Sequence, residues 1–353
     1  MDFTSSESFV GVFGSEENDT INLTGNFSTV YALGGDDVIR SFYTYNSVVQ
    51  GNGGNDSIYN YSELTTVTAD DGNDYIQNNA SNATLFGGDG RDTLFSQDRL
   101  IFINLDGGAG MDFINNYSSY STIDGGDGTD YVTNFYGREV LLGGGADQDI
   151  LINYGEGSTI AGGDDEDKIF NYASNVSIDG GTGKDSIYSA INLFSISVNG
   201  GAGNDSIHNN SSISTIGGGF GNDSILSTEL ASNVLLSGDN ANDTIRNYSA
   251  NATLNGGIGD DWLYNYADGA TILYYNHYGE EYIYSYADNV NIILPDLTVA
   301  DIEYAKDATD YYEIHFNHNS SIFVQKADSN PTFRFSDGSS YAYDNSKATF
   351  VSK

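Results

Sequence analysis

The sequence predicts an all-β fold: a parallel β-solenoid of about 15 coils with about 18 residues per coil, closed by a small strand-rich cap. Three observations predict it. An acidic residue recurs at intervals of 18 to 20 residues, with an aliphatic residue two positions after it. A second aliphatic column precedes a glycine-rich phrase in most coils. Polar or aromatic residues flank both columns, and this period of two is typical of short strands with one inward side chain.

The recurring acidic residue sets the length of each coil. Of its 14 intervals, eight are 18 residues, two are 19 and four are 20, which is too short for a helical pair and fits two nine-residue units per coil. Glu281 takes the fifteenth place. The other places belong to Asp19, Asp37, Asp56, Asp74, Asp92, Asp112, Asp130, Asp149, Asp167, Asp185, Asp205, Asp223, Asp243 and Asp261.

The turn before each acidic residue is rich in glycine. The full pattern GGxGxD occurs seven times, as in "GGAGND" at residues 200–205. Glycine permits positive φ and lets main-chain carbonyls converge, and the aspartate adds charged oxygen. A flexible shell of six to eight oxygens suits Ca²⁺ better than Mg²⁺, so we expect the aspartates and these glycines to bind calcium. The glycines predicted as site residues are Gly88, Gly90, Gly108, Gly110, Gly126, Gly128, Gly181, Gly183, Gly201, Gly203, Gly219, Gly221, Gly257 and Gly259.

The charge of the chain also indicates a cationic partner. Fifty acidic residues against 12 basic ones give a net charge of −38, which repels itself in a compact fold. The 39% of hydrophobic residues argue against disorder. Nucleic acid and an anionic membrane surface are excluded as partners by the same charge. No apolar run reaches the roughly 18 residues of a membrane helix, so no membrane insertion is expected.

The opposite turn of each coil has a different composition. Four residues after the aspartate stands Asn in nine coils, and the next residue is Tyr or Phe in nine. We expect the Asn side chains to hydrogen-bond from coil to coil and the rings to cover the apolar edge. Three of the four 20-residue coils place their insertion here, whereas the glycine half keeps its length. The sequence therefore predicts a single row of calcium ions, with at most about 14 sites between 15 coils.

The phrases "GGAGNDSIH", "GGTGKDSIY" and "GGDGRDTLF" resemble the RTX nonapeptide, GGxGxDxUx, of secreted bacterial proteins of the haemolysin and adhesin type. The resemblance covers residues 14–290. It implies a right-handed parallel β-roll with Ca²⁺ between coils, and type I secretion without a cleaved signal peptide. The start of the chain shows no signal peptide, in agreement. A typical RTX roll has glycine–aspartate turns on both edges, whereas here one edge carries Asn and Tyr. Several turns are degenerate, and the one at Glu281 departs furthest.

Two segments lie outside the repeat. Residues 1–13 are expected to cap one end of the solenoid. Residues 291–353 alternate apolar and polar residues around turn signals, which predicts strands and hairpins that cover the other open end. The tail also resembles the segment that precedes the secretion signal in many RTX proteins.

The outward faces leave the biological role open. No Ser-His-Asp grouping or nucleophile elbow is visible and the repeat accounts for the acids, so we expect no enzyme. One alternative is an extracellular structural or adhesive protein, in a matrix, filament or surface layer, that self-assembles through its rings. The other is a ligand-binding module, with a glycan on the rings or, less favoured, ice on a column of Thr and Ser such as Thr122, Thr159 and Thr215. The rings predicted to contact a partner are Tyr59, Tyr75, Tyr131, Tyr188, Trp262 and Tyr264.

Overall fold

A computed structural model describes residues 2–275, 279–307, 311–317, 320–325, 331–344 and 349–352. The chain divides into two compact units, Met1–Ser177 and Ile178–Lys353. Each unit is all-β and parallel with coils of about 18 residues, which confirms the predicted solenoid. Within the described ranges, helix is limited to one 3-10 turn, Val299–Asp301, and no helix is long and apolar enough to cross a membrane.

Each coil of the first unit contributes one strand to each of two parallel sheets. The strands of the first sheet follow the recurring aspartate, and those of the second sheet run into the glycine phrase. The first sheet contains β1 (Asp2–Ser5), β3 (Thr20–Leu23), β5 (Val38–Tyr45), β7 (Ser57–Glu63), β9 (Tyr75–Asn78), β11 (Thr93–Ser96), β13 (Phe113–Asn116), β15 (Tyr131–Asn134), β17 (Ile150–Asn153) and β19 (Lys168–Asn171). The second contains β2 (Gly11–Ser15), β4 (Thr29–Gly34), β6 (Val48–Gly53), β8 (Thr66–Gly72), β10 (Thr84–Gly90), β12 (Asn104–Gly110), β14 (Thr122–Asp127), β16 (Leu141–Ala146) and β18 (Thr159–Asp164).

The second unit repeats this arrangement. Its first sheet contains β21 (Ser186–Ser189), β23 (Ser206–Asn209), β25 (Ser224–Ser227), β27 (Thr244–Asn247), β29 (Asp261–Asn265) and β31 (Glu280–Ser285). Its second sheet contains β20 (Ser177–Thr182), β22 (Ser197–Ala202), β24 (Thr215–Phe220), β26 (Leu235–Asn240), β28 (Thr253–Ile258), β30 (Thr271–Leu273) and β32 (Asn291–Leu294).

The core of each unit is formed by the two aliphatic columns that the repeat predicts. Ile58 lies opposite Ile76 in the first sheet, and Leu85 lies opposite Leu105 in the second. All four side chains are fully buried. Because the register advances by one whole coil, each inward residue stacks on its counterpart. The interior is therefore narrow, and each coil depends on its neighbours for burial.

The segments predicted as caps extend the sheets of the unit to which they belong. Strand β1 pairs in parallel with β3, and β2 pairs with β4, so the first residues form a coil of their own. The tail contains β33 (Ile302–Asp307), β34 (Tyr311–Phe316), β35 (Ser320–Gln325), β36 (Thr332–Phe335), β37 (Ser340–Asp344) and β38 (Thr349–Ser352). Strand β35 continues the first sheet beside β31, and β36 continues the second sheet beside β32. Antiparallel partners then cover the edges that these two strands would expose.

Candidate metal centre

The turns that join each second-sheet strand to the next first-sheet strand form what we call the carboxylate edge. Every predicted aspartate of the repeat has its side chain turned inward there, with at most 3% of its surface exposed. Its Oδ1 accepts a hydrogen bond from the main-chain N–H of the aspartate one coil earlier. Asp92 donates to Asp112 and Asp112 donates to Asp130, both at 2.7 Å. This series of hydrogen bonds runs from Asp19 to Asp167 in the first unit and from Asp185 to Asp261 in the second.

The second carboxylate oxygen of these residues, Oδ2, is buried and in most coils accepts no hydrogen bond within the described structure. An ionised oxygen in that state is costly, because burial removes the water that would solvate it. A regular row of such atoms is therefore the strongest indication in this structure of residues that fit a cation. In the first unit the row contains Asp37, Asp56, Asp74, Asp92, Asp112, Asp130 and Asp149, and in the second Asp205, Asp223, Asp243 and Asp261.

The first glycine of each phrase leaves a space beside this oxygen. A Cβ placed on Gly87 would lie 2.5 Å from Asp92 Oδ2 and 2.2 Å from the carbonyl oxygen of Gly107 in the next coil. Glycine is therefore needed here, because a carboxylate oxygen and a main-chain carbonyl oxygen come too close to this position for any side chain; we call this pair of oxygens the cradle. The same pair of oxygens borders Gly107, Gly125, Gly144, Gly180, Gly200, Gly218 and Gly238.

The glycines predicted as site residues shape the turn. All of the second and third glycines in that set have positive φ, for example 121° at Gly88 and 144° at Gly90. A Cβ on Gly108 would lie 2.2 Å from the carbonyl oxygen of Gly88, so these glycines also stack closely from coil to coil. The first glycine of the phrase was missed. It does not have the positive φ of its neighbours. It is needed because a carbonyl oxygen of the next coil lies close to it, and that contact exists only when the coils stack.

Burial raises the pKa of the aspartates in the row. Burial, together with the charges of neighbouring aspartates, raises the pKa of Asp92 and Asp130 to about 7 and that of Asp149 and Asp243 to about 8. Desolvation and like-charge repulsion both oppose the ionised form. An ionised row at neutral pH therefore needs a cation.

The donor set consists of oxygen alone. Across the residues that the structure describes, no group of three or more His, Cys, Asp or Glu side chains converges on one point, so main-chain carbonyls would have to supply most of the ligands. Hard oxygen donors in a flexible loop suit Ca²⁺ and exclude a soft-metal site. Glu281, which takes the place of the aspartate in the fifteenth repeat, is 4% exposed. Its Oε1 and Asp261 Oδ2 both lie close to Gly256. Glutamate thus brings a carboxylate oxygen to the position that a carbonyl oxygen occupies in earlier coils.

The turns that lead from the first sheet back to the second form the asparagine edge. Here the Asn side chains hydrogen-bond from coil to coil, as from Asn134 Nδ2 to Asn153 Oδ1 at 2.8 Å and from Asn153 Nδ2 to Asn171 Oδ1 at 3.0 Å. Asn153 also accepts from the N–H of Gly155 and donates to its carbonyl oxygen. Rings stack outside them, for example Tyr154 on Tyr172 at 4.8 Å. Serine replaces Asn where coils carry insertions, at Ser96, Ser189 and Ser227.

The rings predicted to contact a partner lie on the outer side of the first sheets and pack mainly on their neighbours. The ring of Tyr59 contacts that of Tyr75 at a tilt of 57°, with centroids 5.9 Å apart, and the guanidinium of Arg40 lies over the Tyr59 ring at 5.4 Å. Tyr131 is 40% exposed. Two tyrosines outside this set are more exposed: Tyr43, near the end of β5, at 88% and Tyr136, on a turn, at 72%. The Thr and Ser column is exposed at several coils but is interrupted by Leu141 and Leu235.

A hydrogen-bonded chain of Ser321, His315 and Glu313, which the sequence spacing did not reveal, lies in the tail. His315 Nδ1 is 2.7 Å from Ser321 Oγ, and its Nε2 is 2.6 Å from Glu313 Oε1. Ser321 is only 5% exposed, so its hydroxyl is not open to a substrate. We interpret the chain as a structural link between β34 and β35.

No family model matches this chain, and no curated protein matches it. Among solved structures, the chain is similar to a hyperactive, Ca²⁺-dependent, β-helical antifreeze protein from an Antarctic bacterium. The two share 19% sequence identity with a TM-score of 0.47, and the match covers 85% of this chain and 86% of the other. A likeness of this degree says nothing about what this chain binds.

Proposed function

We propose that this chain is a secreted, calcium-binding β-roll with a structural or adhesive role outside the cell, and that it folds on binding Ca²⁺. The observation that carries the proposal is the row of buried Oδ2 atoms that have no hydrogen-bond partner among the described residues. In most coils a glycine lets this oxygen lie close to a main-chain carbonyl oxygen, whereas alanine stands at that position as Ala32 and Ala69, and Glu281 supplies the second oxygen beside Gly256. At one such site, Asp92 Oδ2 and the carbonyl oxygen of Gly107 would be ligands. Calcium would supply the positive charge that balances the buried carboxylates.

The ligands available at each site also indicate in which cellular compartment calcium would bind. The affinity of a calcium site rises with the number of charged ligands and with its rigidity. A cradle of one buried carboxylate oxygen and neutral carbonyls has few charges, so we expect weak sites, in the range of about 10⁻⁴ to 10⁻³ M found in extracellular modules. Such sites would stay empty in a cytosol poor in calcium and fill outside the cell, where folding would follow export.

Removal of calcium should unfold the chain. Each site held at ten times its Kd, which millimolar Ca²⁺ reaches for the tighter sites of this range, stabilises the fold by about 1.4 kcal/mol. The net stability of a domain is about 5–15 kcal/mol, so loss of several sites is enough to unfold it. Circular dichroism should show little β-signal in excess chelator, full recovery in millimolar Ca²⁺ and much less in Mg²⁺.

The number and position of the ions provide a second test. Equilibrium dialysis should give several Ca²⁺ per chain, and anomalous diffraction should place them in a single file on the carboxylate edge. A roll that is fully folded in chelator at pH 8, or ions on the asparagine edge, would refute the proposal.

A further inference from the structure

The ring columns of the second unit end in an open cavity on the outer side of the first sheet. Tyr282, Tyr284, Tyr311, Phe323 and Gln325 line it, and its volume is about 370 Å³. The side chains that line it point away from the core and its carboxylate row. The cavity therefore needs an explanation other than calcium.

One ring column passes beside the cavity without a break. Trp262 stacks on Tyr282 at 5.4 Å, and Tyr282 stacks on Phe323 at 4.8 Å, with ring planes 11° and 10° apart. The pairing of β31 with β35 places Tyr282 directly opposite Phe323. This column therefore continues from the last coil into the tail.

The neighbouring column stops one ring earlier. Tyr264 stacks on Tyr284 at 4.9 Å, but the register that pairs Ile283 with Val324 places Gln325 after Tyr284. Gln325 is shorter than a ring and leaves a hollow against Tyr284. Tyr311, which pairs with Gln325 from β34, closes the far side, and its ring lies at 61° to that of Phe323. The cavity is thus the place of a missing ring in a regular stack.

The amide of Gln325 gives this hollow a polar end. Its Oε1 is buried and has no hydrogen-bond partner among the described residues. A buried acceptor in that state is costly unless a ligand supplies a donor. The five lining residues are uncharged, and the carboxylate of Glu280 accepts a hydrogen bond from the hydroxyl of Tyr282.

We propose that this cavity binds a neutral sugar. A pyranose ring would take the place of the missing ring, with its C–H face on Tyr284 and a hydroxyl group donating to Gln325 Oε1. The volume lies at the low end of small-molecule sites, roughly 300 to 1,000 Å³, and so fits one or two sugar rings. The net charge of −38 disfavours an anionic ligand. Parallel rings favour a flat ligand over a quaternary ammonium ion, which is bound by rings arranged around one centre.

Trp262 makes the binding measurable. It is the single tryptophan of the chain and stacks on Tyr282 in the wall of the cavity. We expect titration of the calcium-loaded full chain with neutral methyl glycopyranosides to change Trp262 fluorescence saturably, with a millimolar Kd for the preferred sugar. Gln325→Leu keeps the approximate size but removes the acceptor, and should weaken binding about tenfold, the effect of about 1.4 kcal/mol. Tyr284→Ala should abolish it.

Two controls separate binding from folding. Tyr188→Ala removes a ring from the first sheet of the same unit outside the cavity, and should bind sugar like the parent. Circular dichroism in Ca²⁺ should be unchanged in all three variants, so that loss of sugar binding is distinguished from failure of the calcium proposal. The proposal is overturned if no glycoside in the series gives a saturable response, if tetramethylammonium or indole binds more tightly than every sugar, or if Gln325→Leu binds as well as the parent.

Discussion

The two edges of one coil in the first unit bury polar side chains in opposite ways. On the asparagine edge, Asn153 donates and accepts at both ends, with Asn134, Asn171 and Gly155 as partners. On the carboxylate edge, Asp149 accepts one bond from the N–H of Asp130, and its other oxygen has no partner among the described residues. Both side chains are at most 1% exposed.

The difference follows from the chemistry of the two groups. A carboxamide carries donors and an acceptor, so a column of identical amides satisfies itself as the coils stack. An ionised carboxylate only accepts, so a column of them needs donors or cations from outside. The asparagine edge is therefore complete as folded, whereas the carboxylate edge depends on a ligand. Each of the following predictions tests this contrast.

The largest effect after calcium removal should come from pH. Burial raises the pKa values of the repeat aspartates from Asp37 to Asp149 from 3.8 to between about 6, as at Asp37, and about 8, as at Asp149. Because the folded state then binds more protons than the unfolded state, this contribution to stability is fully present below about pH 4 and is lost as the pH rises through 6 to 8. In chelator, the β-signal in circular dichroism should therefore rise as the pH falls from 8 to 5, because protonation of the buried carboxylates favours the folded state.

The calcium-loaded protein should respond with the opposite sign. Protons compete with the cation for the same oxygens, so calcium affinity should fall over that range. A chelated protein that is most stable at pH 8 would contradict the proposed state of the carboxylate edge.

A pair of adjacent glycines tests the cradle at one coil. A Cβ on Gly144 would lie 2.4 Å from both Asp149 Oδ2 and the carbonyl oxygen of Gly162, whereas one on Gly143 would come no closer than 3.3 Å to Asp124 Oδ1. Gly144→Ala should lose about one bound Ca²⁺ and about 3 kcal/mol of unfolding free energy in calcium. Gly143→Ala should keep every ion and stay within about 0.5 kcal/mol of the parent. Equal ion counts in the two variants would contradict the cradle.

The same glycines show which features of the site can be predicted from the sequence. The spacing of the aspartates and the two aliphatic columns were enough to predict the coils, because both are local patterns repeated in phase. The turn glycines with positive φ were also predictable, since a glycine phrase in a tight turn indicates that conformation. Gly144 was not predictable, because one of the two oxygens that leave no room for a side chain there, the carbonyl oxygen of Gly162, belongs to the next coil. The hollow at Gln325 was equally hidden, since it depends on the register between β31 and β35.

Exchanging one functional group at each edge should give effects that differ in sign. Asp149→Asn keeps the acceptor for Asp130 and offers a new donor toward the carbonyl oxygen of Gly162. It should stabilise the chelated protein by about 1–3 kcal/mol at pH 8 and remove about one ion in calcium. Asn153→Ala breaks the side-chain bonds of its ladder position and should destabilise by about 1–3 kcal/mol in both conditions. The folded fraction in chelator, measured by circular dichroism, and denaturant titration in calcium test the two effects. An Asp149→Asn variant that is less stable than the parent in chelator would contradict the contrast.

The smallest effect concerns the outer rings, which lie between the two edges. We expect the calcium-loaded chain to self-associate weakly through its ring face, because neutralised acidic turns no longer repel a neighbour. The rings cover much of each other's surface, as Tyr131 and Phe113 do with centroids 5.0 Å apart. Only the rims of the rings are then left to contact a partner. Changing Tyr59, Tyr131, Tyr188 and Tyr264 to Ser should preserve folding in Ca²⁺ and reduce light scattering at high concentration severalfold. The matched turn variant changes Tyr43, at the end of β5 that leads into the asparagine edge, and Tyr136, on a turn. Both are more exposed than the rings of the sheet face, and this variant should associate like the parent. If the turn variant loses association and the ring variant keeps it, the contact surface is an edge of the solenoid and the sheet face has no part in it.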